Sequence, residues 1–355
     1  PPQNVSGVSL LPIDETSAIL SWNRATELDV LLGGKTLIRH SSKTTGAQWK
    51  DGQNIVVAAA GNQTQKIVPL LAGTYLIKFE DDGGRESPSP GSQDSAWNNT
   101  RVTTNLPAPS ERLAVGSIDE HTPNFQGSKT NTIYDASLDA LKLTESSNAV
   151  STSGEYVFNN SIDLTQPYDV NIRKVLEASS FNLNNLWDDR TDLIDSWGYI
   201  DQVGGLTEAT KCNAAVYVRA TNDNPSGSPT WSDYKEFSNV LITGRAFQFK
   251  ALLTSNDTNQ NIAVTKLGAT LELQGRTESI STPVTTGSSQ YTVSFTNPFK
   301  QTPTVVVTPT NQQSGDFHEL ANISRTGFQV TFKNGSSAVA RSFVWAASGF
   351  GKEVT

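Results

Sequence analysis

Apolar positions along this chain recur mostly with a period of two, in short runs cut by Gly, Pro, Asn and Asp, which predicts strands throughout. In the first hundred residues, Ser17–Trp22 reads as an apolar strand ending in a large aromatic. Leu28–Ile38 reads as a second strand, interrupted by a turn at Gly33-Gly34, and Gln53–Ala59 as a third. Gly73–Phe79 is a fourth, with Tyr75, Ile77 and Phe79 alternating against Leu76 and Lys78, and Asp81–Gly84 is a tight turn. About seven such strands at turn spacings of about 8–12 residues are the signature of a β-sandwich.

Asn105–Ser110 is Pro-rich and reads as a linker. Beyond it, Glu155–Phe158, Tyr168–Ile172, Thr210–Arg219, Arg245–Leu253 and Ala269–Leu273 read as strands, with turns at Asn222–Gly227 and Ser255–Gln260. Phe247 and Phe249 fall on one face, Gln248 and Lys250 on the other. Helical periodicity is weak, and Ser137–Leu143 is the one short candidate. A layered antiparallel sheet, most simply a jelly roll, accounts for this region.

The polar stretch Glu278–Ser289 reads as a second linker. After it, Tyr291, Val293 and Phe295 share one strand face, Pro303–Pro309 is an apolar strand fenced by prolines, and Asn311–Phe317 is a polar loop. Phe328, Val330 and Phe332 share a face, and Asn334-Gly335 is a strong hairpin signal. The expected fold is therefore all-β in three units: a sandwich over residues 1–104, a jelly-roll-like sandwich over 105–278, and a small β domain over 279–355. So small a unit has much surface for its volume. Phe343, Trp345 and Phe350 are accordingly expected to need cover from other copies of the chain, in closed symmetry.

Composition narrows the function. Of 355 residues, 27 are Lys or Arg and 35 Asp or Glu, a net charge of -8 that disfavours nucleic acid as a partner. The lone Cys212 can form no internal disulfide and reads as a buried thiol. No stretch approaches the ~20 apolar residues that span a bilayer. A start at Pro1-Pro2 suggests a cut through a longer polypeptide.

Three resemblances attach to particular residues. Pro1-Pro2 with Val5, the early Trp22, Gly73-Thr-Tyr75 and Gly84-Arg-Glu-Ser87 resemble a fibronectin type III module. That likeness implies a core role for Trp22, a crossover-fixing corner for Tyr75, and a spacer or adhesive unit. The Val-Tyr-Val-Arg219 strand, Trp231-Ser-Asp-Tyr234 and Arg245-Ala-Phe-Gln-Phe249 resemble the jelly-roll module of bacteriophage tail-tip attachment proteins, many of whose relatives look like carbohydrate-binding domains. Phe295, Pro303-Thr-Val, Gly327-Phe-Gln-Val and the closing Phe343, Trp345, Ala347, Gly349 and Gly351 resemble the terminal domain of phage tail fibres. Together these imply a homotrimer at the distal end of a virion tail, joined to other tail-tip proteins and meeting a bacterial surface glycan or outer-membrane protein. Asp316, Phe317 and His318 are the candidate receptor contacts, with an ordinary turn carrying one inward aromatic as the alternative.

Chemistry is sparse. Asp188, Asp189, Asp192 and Asp195 lie in one run between Trp187 and Trp197; a solvated loop, a cation site or a glycosidase carboxylate pair each account for them. His40, His121 and His318 are widely spaced and lack a metal-binding pattern. Neither a Gly-x-Ser-x-Gly elbow nor a phosphate loop occurs, so no catalytic residue, cofactor or metal is expected. Asn-x-Ser/Thr at Asn4, Asn62, Asn98, Asn159, Asn256, Asn322 and Asn334 arises by chance in so Asn/Ser/Thr-rich a chain, and leaves an animal adhesion protein as a rival source. A depolymerase on the same scaffold, or a spacer without receptor binding, are the alternatives to a host-binding tip.

Overall fold

The computed structural model describes residues 2–87, 100–102, 112–146, 149–183 and 209–354. The carboxylate run 188–195 and the 105–110 linker lie outside the described residues. The chain is nearly all β, with three separate hydrophobic clusters among the described residues.

The first unit has β1 (Ser9–Pro12), β2 (Ser17–Ser21), α1 (Leu28–Gly33), β3 (Lys35–Ser41), β4 (Gln53–Asn54), β5 (Ala59–Ala60), β6 (Gln65–Pro69), β7 (Gly73–Glu80) and β8 (Thr100–Val102). A β1-β2-β6 sheet faces a β4-β3-β7-β8 sheet, a fibronectin type III-like sandwich. Trp22, Leu20, Val68, Tyr75 and Phe79 fill its centre. The strand expected over Leu28–Ile38 is instead a short helix followed by β3. Leu28 and Leu32, four residues apart, share the exposed side while Val30 is buried, and Asp29 accepts the Val30 N–H at 2.9 Å. The stretch Gln53–Ala59 gives only two-residue strands at its ends.

Tyr75 forms the expected corner. Its hydroxyl donates to the Pro69 carbonyl at 2.5 Å and accepts the Leu71 N–H at 2.9 Å, tying the β6–β7 connection to the core. Tyr75→Phe leaves a buried N–H and a carbonyl without partners, so about 1–3 kcal/mol of stability should be lost in urea unfolding. A loss below about 0.5 kcal/mol would show the corner to be incidental. Gly73, at φ +134, is required where β7 begins: a Cβ there would lie 2.1 Å from the Ser41 carbonyl oxygen.

The second unit comprises β9 (Arg112–Asp119), β10 (Ser128–Thr130), β11 (Thr132–Asp135), β12 (Ala140–Leu143), β13 (Glu145–Ser146), β14 (Ala149–Val150), β15 (Ser153–Val157), β16 (Ile162–Asn182), β17 (Cys212–Thr221), β18 (Lys235–Glu236), β19 (Asn239–Ser255) and β20 (Gln260–Thr285). Long strands do the folding work. β19 pairs with β15 and β17 along its C-terminal half and with β16 along its N-terminal half. β20 pairs with β16 and then β9, and its tail enters the third unit. β16 carries two register shifts, between Asp163 and Tyr168 in its pairing with β19, where Thr165 adopts φ +69, and at Glu177/Ala178 in its pairing with β20. The enclosed core includes Phe247, Phe249, Tyr156 and Cys212, whose thiol is buried.

Two sequence expectations fail here. Ser137–Leu143 is a turn leading into β12: Asp135 accepts the Ser137 and Leu138 amides at 2.9 and 3.3 Å, so its carboxylate closes a hairpin. Glu278–Ser289 is no linker through Thr285; that polar stretch is the end of β20.

The third unit comprises β21 (Tyr291–Ser294), β22 (Thr304–Pro309), β23 (Asp316–Ser324), β24 (Gly327–Asn334), β25 (Ser337–Ala338) and β26 (Ser342–Phe350). The tail of β20 with β26 and β22 forms one layer, and β21-β24-β23 with β25 the other. Gly335, at φ +60, takes the first position of a two-residue loop with Ser336, so Asn334 closes the strand rather than sitting in the turn. Phe343 is 0% and Trp345 7% exposed within one chain, and Phe350 is half-buried. The expectation that these rings need cover from other copies is thus overturned for Phe343 and Trp345. Trp345 packs on Phe295 and Phe328, with centroids 5.7 Å from each, and Phe343 on Tyr291 and Phe332 at 5.8 and 5.7 Å.

The first two units join through a buried polar seam. Arg39 donates to the Thr210 carbonyl at 2.7 Å, the Ala214 N–H donates to Gln53 Oε1 at 2.6 Å, and Ser179 donates to Asp51 at 2.8 Å. Arg112 links Glu15 and Glu272 at 2.8 and 2.9 Å.

Candidate functional site

The outward face of the β17–β19 sheet follows from strand alternation. Val216, Val218, Phe247 and Phe249 point into the core, which turns Tyr217, Arg219, Gln248 and Lys250 outward. Register places Tyr217 opposite Lys250 and Arg219 opposite Gln248. The segment between β17 and β18 then folds back along β17, held by Ser232 N–H to the Ala220 carbonyl at 2.9 Å and Phe237 N–H to the Val216 carbonyl at 3.0 Å. This lays Trp231 and Tyr234 over the outward row.

The result is an interleaved cluster of rings and cations. The Arg219 guanidinium lies 5.2 Å from the Trp231 ring centroid and 4.7 Å from that of Tyr234. Lys250 lies 4.7 Å from Tyr234 and 5.8 Å from Tyr217. Arg219 also donates twice to Gln248 Oε1, at 2.9 and 2.6 Å, and Lys250 pairs with Glu155 at 2.6 Å. Burial pushes the Tyr234 phenol up, with Arg219 and Lys250 pulling it back. Beside Arg219 opens a groove of about 670 Å³, with Val240, Leu241 and Ile242 among its apolar walls and Asp223, Asp233, Lys235 and Glu236 among its polar ones. Leu241 is 51% exposed there. Half-buried rings suit apolar C–H faces, and cations with an amide suit hydroxyl groups, so the surface is equipped for recognition.

At the tip, Asp316, Phe317 and His318 are the start of β23 and not part of the preceding loop. Asp316 is tied down: Arg341 grips both carboxylate oxygens, and Asn334 Nδ2 and the Gln313 N–H donate at 2.8 and 2.7 Å. The Arg341 fork holds its carboxyl well below the usual carboxylate range. Phe317 is 43% exposed, while His318 turns toward Phe332 with ring centroids 5.6 Å apart. Strand alternation thus separates the three, leaving Phe317 as the exposed one.

The carboxylates proposed for a hydrolase or cation, Asp188, Asp189, Asp192 and Asp195, lie outside the described residues. His40 sits at the junction of the first two units, His121 pairs with Asp139 at 3.1 Å, and His318 is at the tip. No group of three or more His, Cys, Asp or Glu converges among the described residues, and no helix among them is long and apolar enough to cross a membrane. Sequence reasoning picked out Trp231 and Tyr234 but missed Arg219 and Lys250 as their partners. The available signal was alternation, since both cations fall on the outward positions of strands already identified.

No family model matches the chain, and no curated protein matches it. Among solved structures, the FN1-FN3 domains of chicken CNTN1 are similar at 10% identity, covering 100% of this chain and 97% of that one, with a TM-score of 0.20. The structure of Sulfolobus Turreted Icosahedral Virus is similar at 9% identity over 98% of this chain and 86% of that chain, with a TM-score of 0.18. Scores this low carry no argument, and the fold assignment rests on the strand order described above.

Proposed function

We propose that this chain is a distal part of a bacteriophage tail tip or central tail fibre and binds the bacterial host surface during adsorption. The observation that carries the reading is the Tyr217–Arg219–Trp231–Tyr234–Lys250 surface, a ring-and-cation face beside an open groove, of the kind that suits saccharides. The phage assignment itself rests on the sequence resemblances of the second and third units. The receptor is a surface glycan or an outer-membrane protein, and the chain acts by recognition, with no catalytic step.

Assembly as a homotrimer alongside other tail-tip proteins would repeat a weak contact and raise its avidity. Burial of Phe343 and Trp345 removes the packing argument for that trimer, which now rests on the resemblance of the third unit alone.

The test is competition: purified protein is added to host cells before phage, and adsorption is measured. Wild type should reduce adsorption, and Trp231→Ala should need about tenfold more protein or worse, as expected for loss of an aromatic anchor. Competition by wild type with Trp231→Ala equally potent would move the contact elsewhere, with Phe317 the next residue to replace. Absence of competition by wild type would leave the spacer reading.

A further inference from the structure

A second cavity, of about 470 Å³, lies at the junction of the first two sandwiches. His40 of β3 and the apolar run Leu70–Ala72 form one wall; Arg173 and Lys174 of β16 and Lys266 of β20 form the other. That volume is within the usual range for small-molecule sites.

Its charges are unevenly satisfied. Arg173 is held by Glu272, and Lys266 by Glu177 at 2.8 Å. Lys174 makes no ion pair or side-chain hydrogen bond with any described residue, and Glu236 acts on it only through space. His40 is 7% exposed, and burial pulls its imidazole down to about 3, with Lys174 adding to the effect, so it contributes no positive charge at neutral pH. Among the described residues, the cavity therefore carries one half-buried ammonium with no ion-pair partner, which is costly to keep without a counter-charge. The apolar run opposite it, together with the hydroxyls of Ser42 and Thr270, describes the rest of a ligand.

We propose that this junction cavity binds an acidic saccharide, with its carboxylate on Lys174 and the apolar face of its ring against Leu70–Ala72. A chloride ion would leave the cavity mostly empty, and a peptide carboxylate would bring an extended backbone for which the walls offer few partners. The proposal is independent of the Trp231 surface. Because both sandwiches contribute walls, the bound sugar also bridges the two units.

The test is calorimetric titration of the full chain with glucuronate, glucose, acetate and tetraglutamate. Glucuronate should bind saturably and at least about tenfold more tightly than the other three, the factor expected from pairing one buried charge. Lys174→Met should lower glucuronate affinity about tenfold or more. Equal binding of glucose removes the carboxylate's role, and equal or tighter binding of acetate or tetraglutamate removes the sugar's; either result overturns the proposal, as does unchanged affinity in Lys174→Met.

Should Lys174→Met fail to fold, the pH dependence of the wild type decides. The titratable groups sharing the cavity with Lys174 are His40, Arg173, Glu177 and Lys266, with Glu272 paired to Arg173 and Glu236 acting on Lys174 through space. Desolvation lowers the Lys174 ammonium to about 8, so glucuronate affinity should fall about tenfold from pH 7 to pH 9 as the amine loses its proton. Affinity that stays level across that window refutes the site.

Discussion

Phe343→Ala is expected to lower the stability of the third unit by about 3–5 kcal/mol, the range for truncating a fully buried Phe to alanine. The ring is 0% exposed between two layers, against Phe332 and Tyr291. Its side chain stands on β26, which is paired to both β20 and β22, so backbone on either side is held and the void has little freedom to collapse. Phe350→Ala, at a half-buried position of the same strand, should lose markedly less. With several cores in one chain a single unfolding transition is not assured, so the local readout is hydrogen exchange of the β24 and β26 amides in urea. The same loss should be found across a hundredfold range of protein concentration, because the covering groups belong to the same chain. A wild-type midpoint that climbs with concentration, together with a loss below about 1 kcal/mol at high dilution, would show that neighbouring copies supply the cover.

That core shows where sequence reading succeeded and where it stopped. Alternation placed Phe328, Val330 and Phe332 on one face, and the structure buries all three. What alternation does not carry is which strand supplies the opposite wall. The missing wall was the end of β20, whose Ser, Thr and Glu content suggested a linker. Its Thr277 and Thr285 face Ser348 and Ser342 across the ladder, at 2.9 and 2.8 Å, so polar residues there are cross-strand partners on a wet face. Ile280 and Val284 meanwhile pack on the core, a strand pattern diluted by its neighbours. Recognising that wall would have removed the argument for exposed rings.

Local chemistry misled in a similar way at shorter range. Leu28, Val30 and Leu32 alternate as a strand would, yet the same residues satisfy a short helix with one buried position. Asp316 reads as a polar loop residue, but its four side-chain hydrogen bonds come mostly from residues far along the chain, Asn334 and Arg341. The recognition surface was half legible: Trp231 and Tyr234 stand out by type, whereas Arg219 and Lys250 become their partners only through register. The junction cavity was not legible, because its two walls are more than a hundred residues apart in sequence.

The second large effect is expected at that junction. Arg39 is 7% exposed on β3 and reaches out of its own sandwich. Its guanidinium stacks 5.0 Å from the Trp49 ring centroid and donates to the Trp49 carbonyl at 3.3 Å. Beyond the sandwich boundary it donates to the carbonyls of Thr210 at 2.7 Å and Cys212 at 3.5 Å. A planar, permanently charged fork serves several carbonyls at once, which no shorter or neutral side chain does. Arg39→Met keeps the apolar stem over Trp49 but removes the donor to the Thr210 and Cys212 carbonyls in a buried seam, so about 2–4 kcal/mol of coupling between the first and second sandwiches should be lost. Gln53 and Asp51 remain across the seam to Ala214 and Ser179, so docking weakens without ending. The expected signature is a thermal transition that splits, with the first sandwich melting below the second while each keeps its own β-sheet circular dichroism. Arg39→Lys should restore part of the loss, since an ammonium can still donate to one carbonyl. A single unsplit transition at the wild-type temperature in Arg39→Met would mean that apolar contacts alone hold the two sandwiches together.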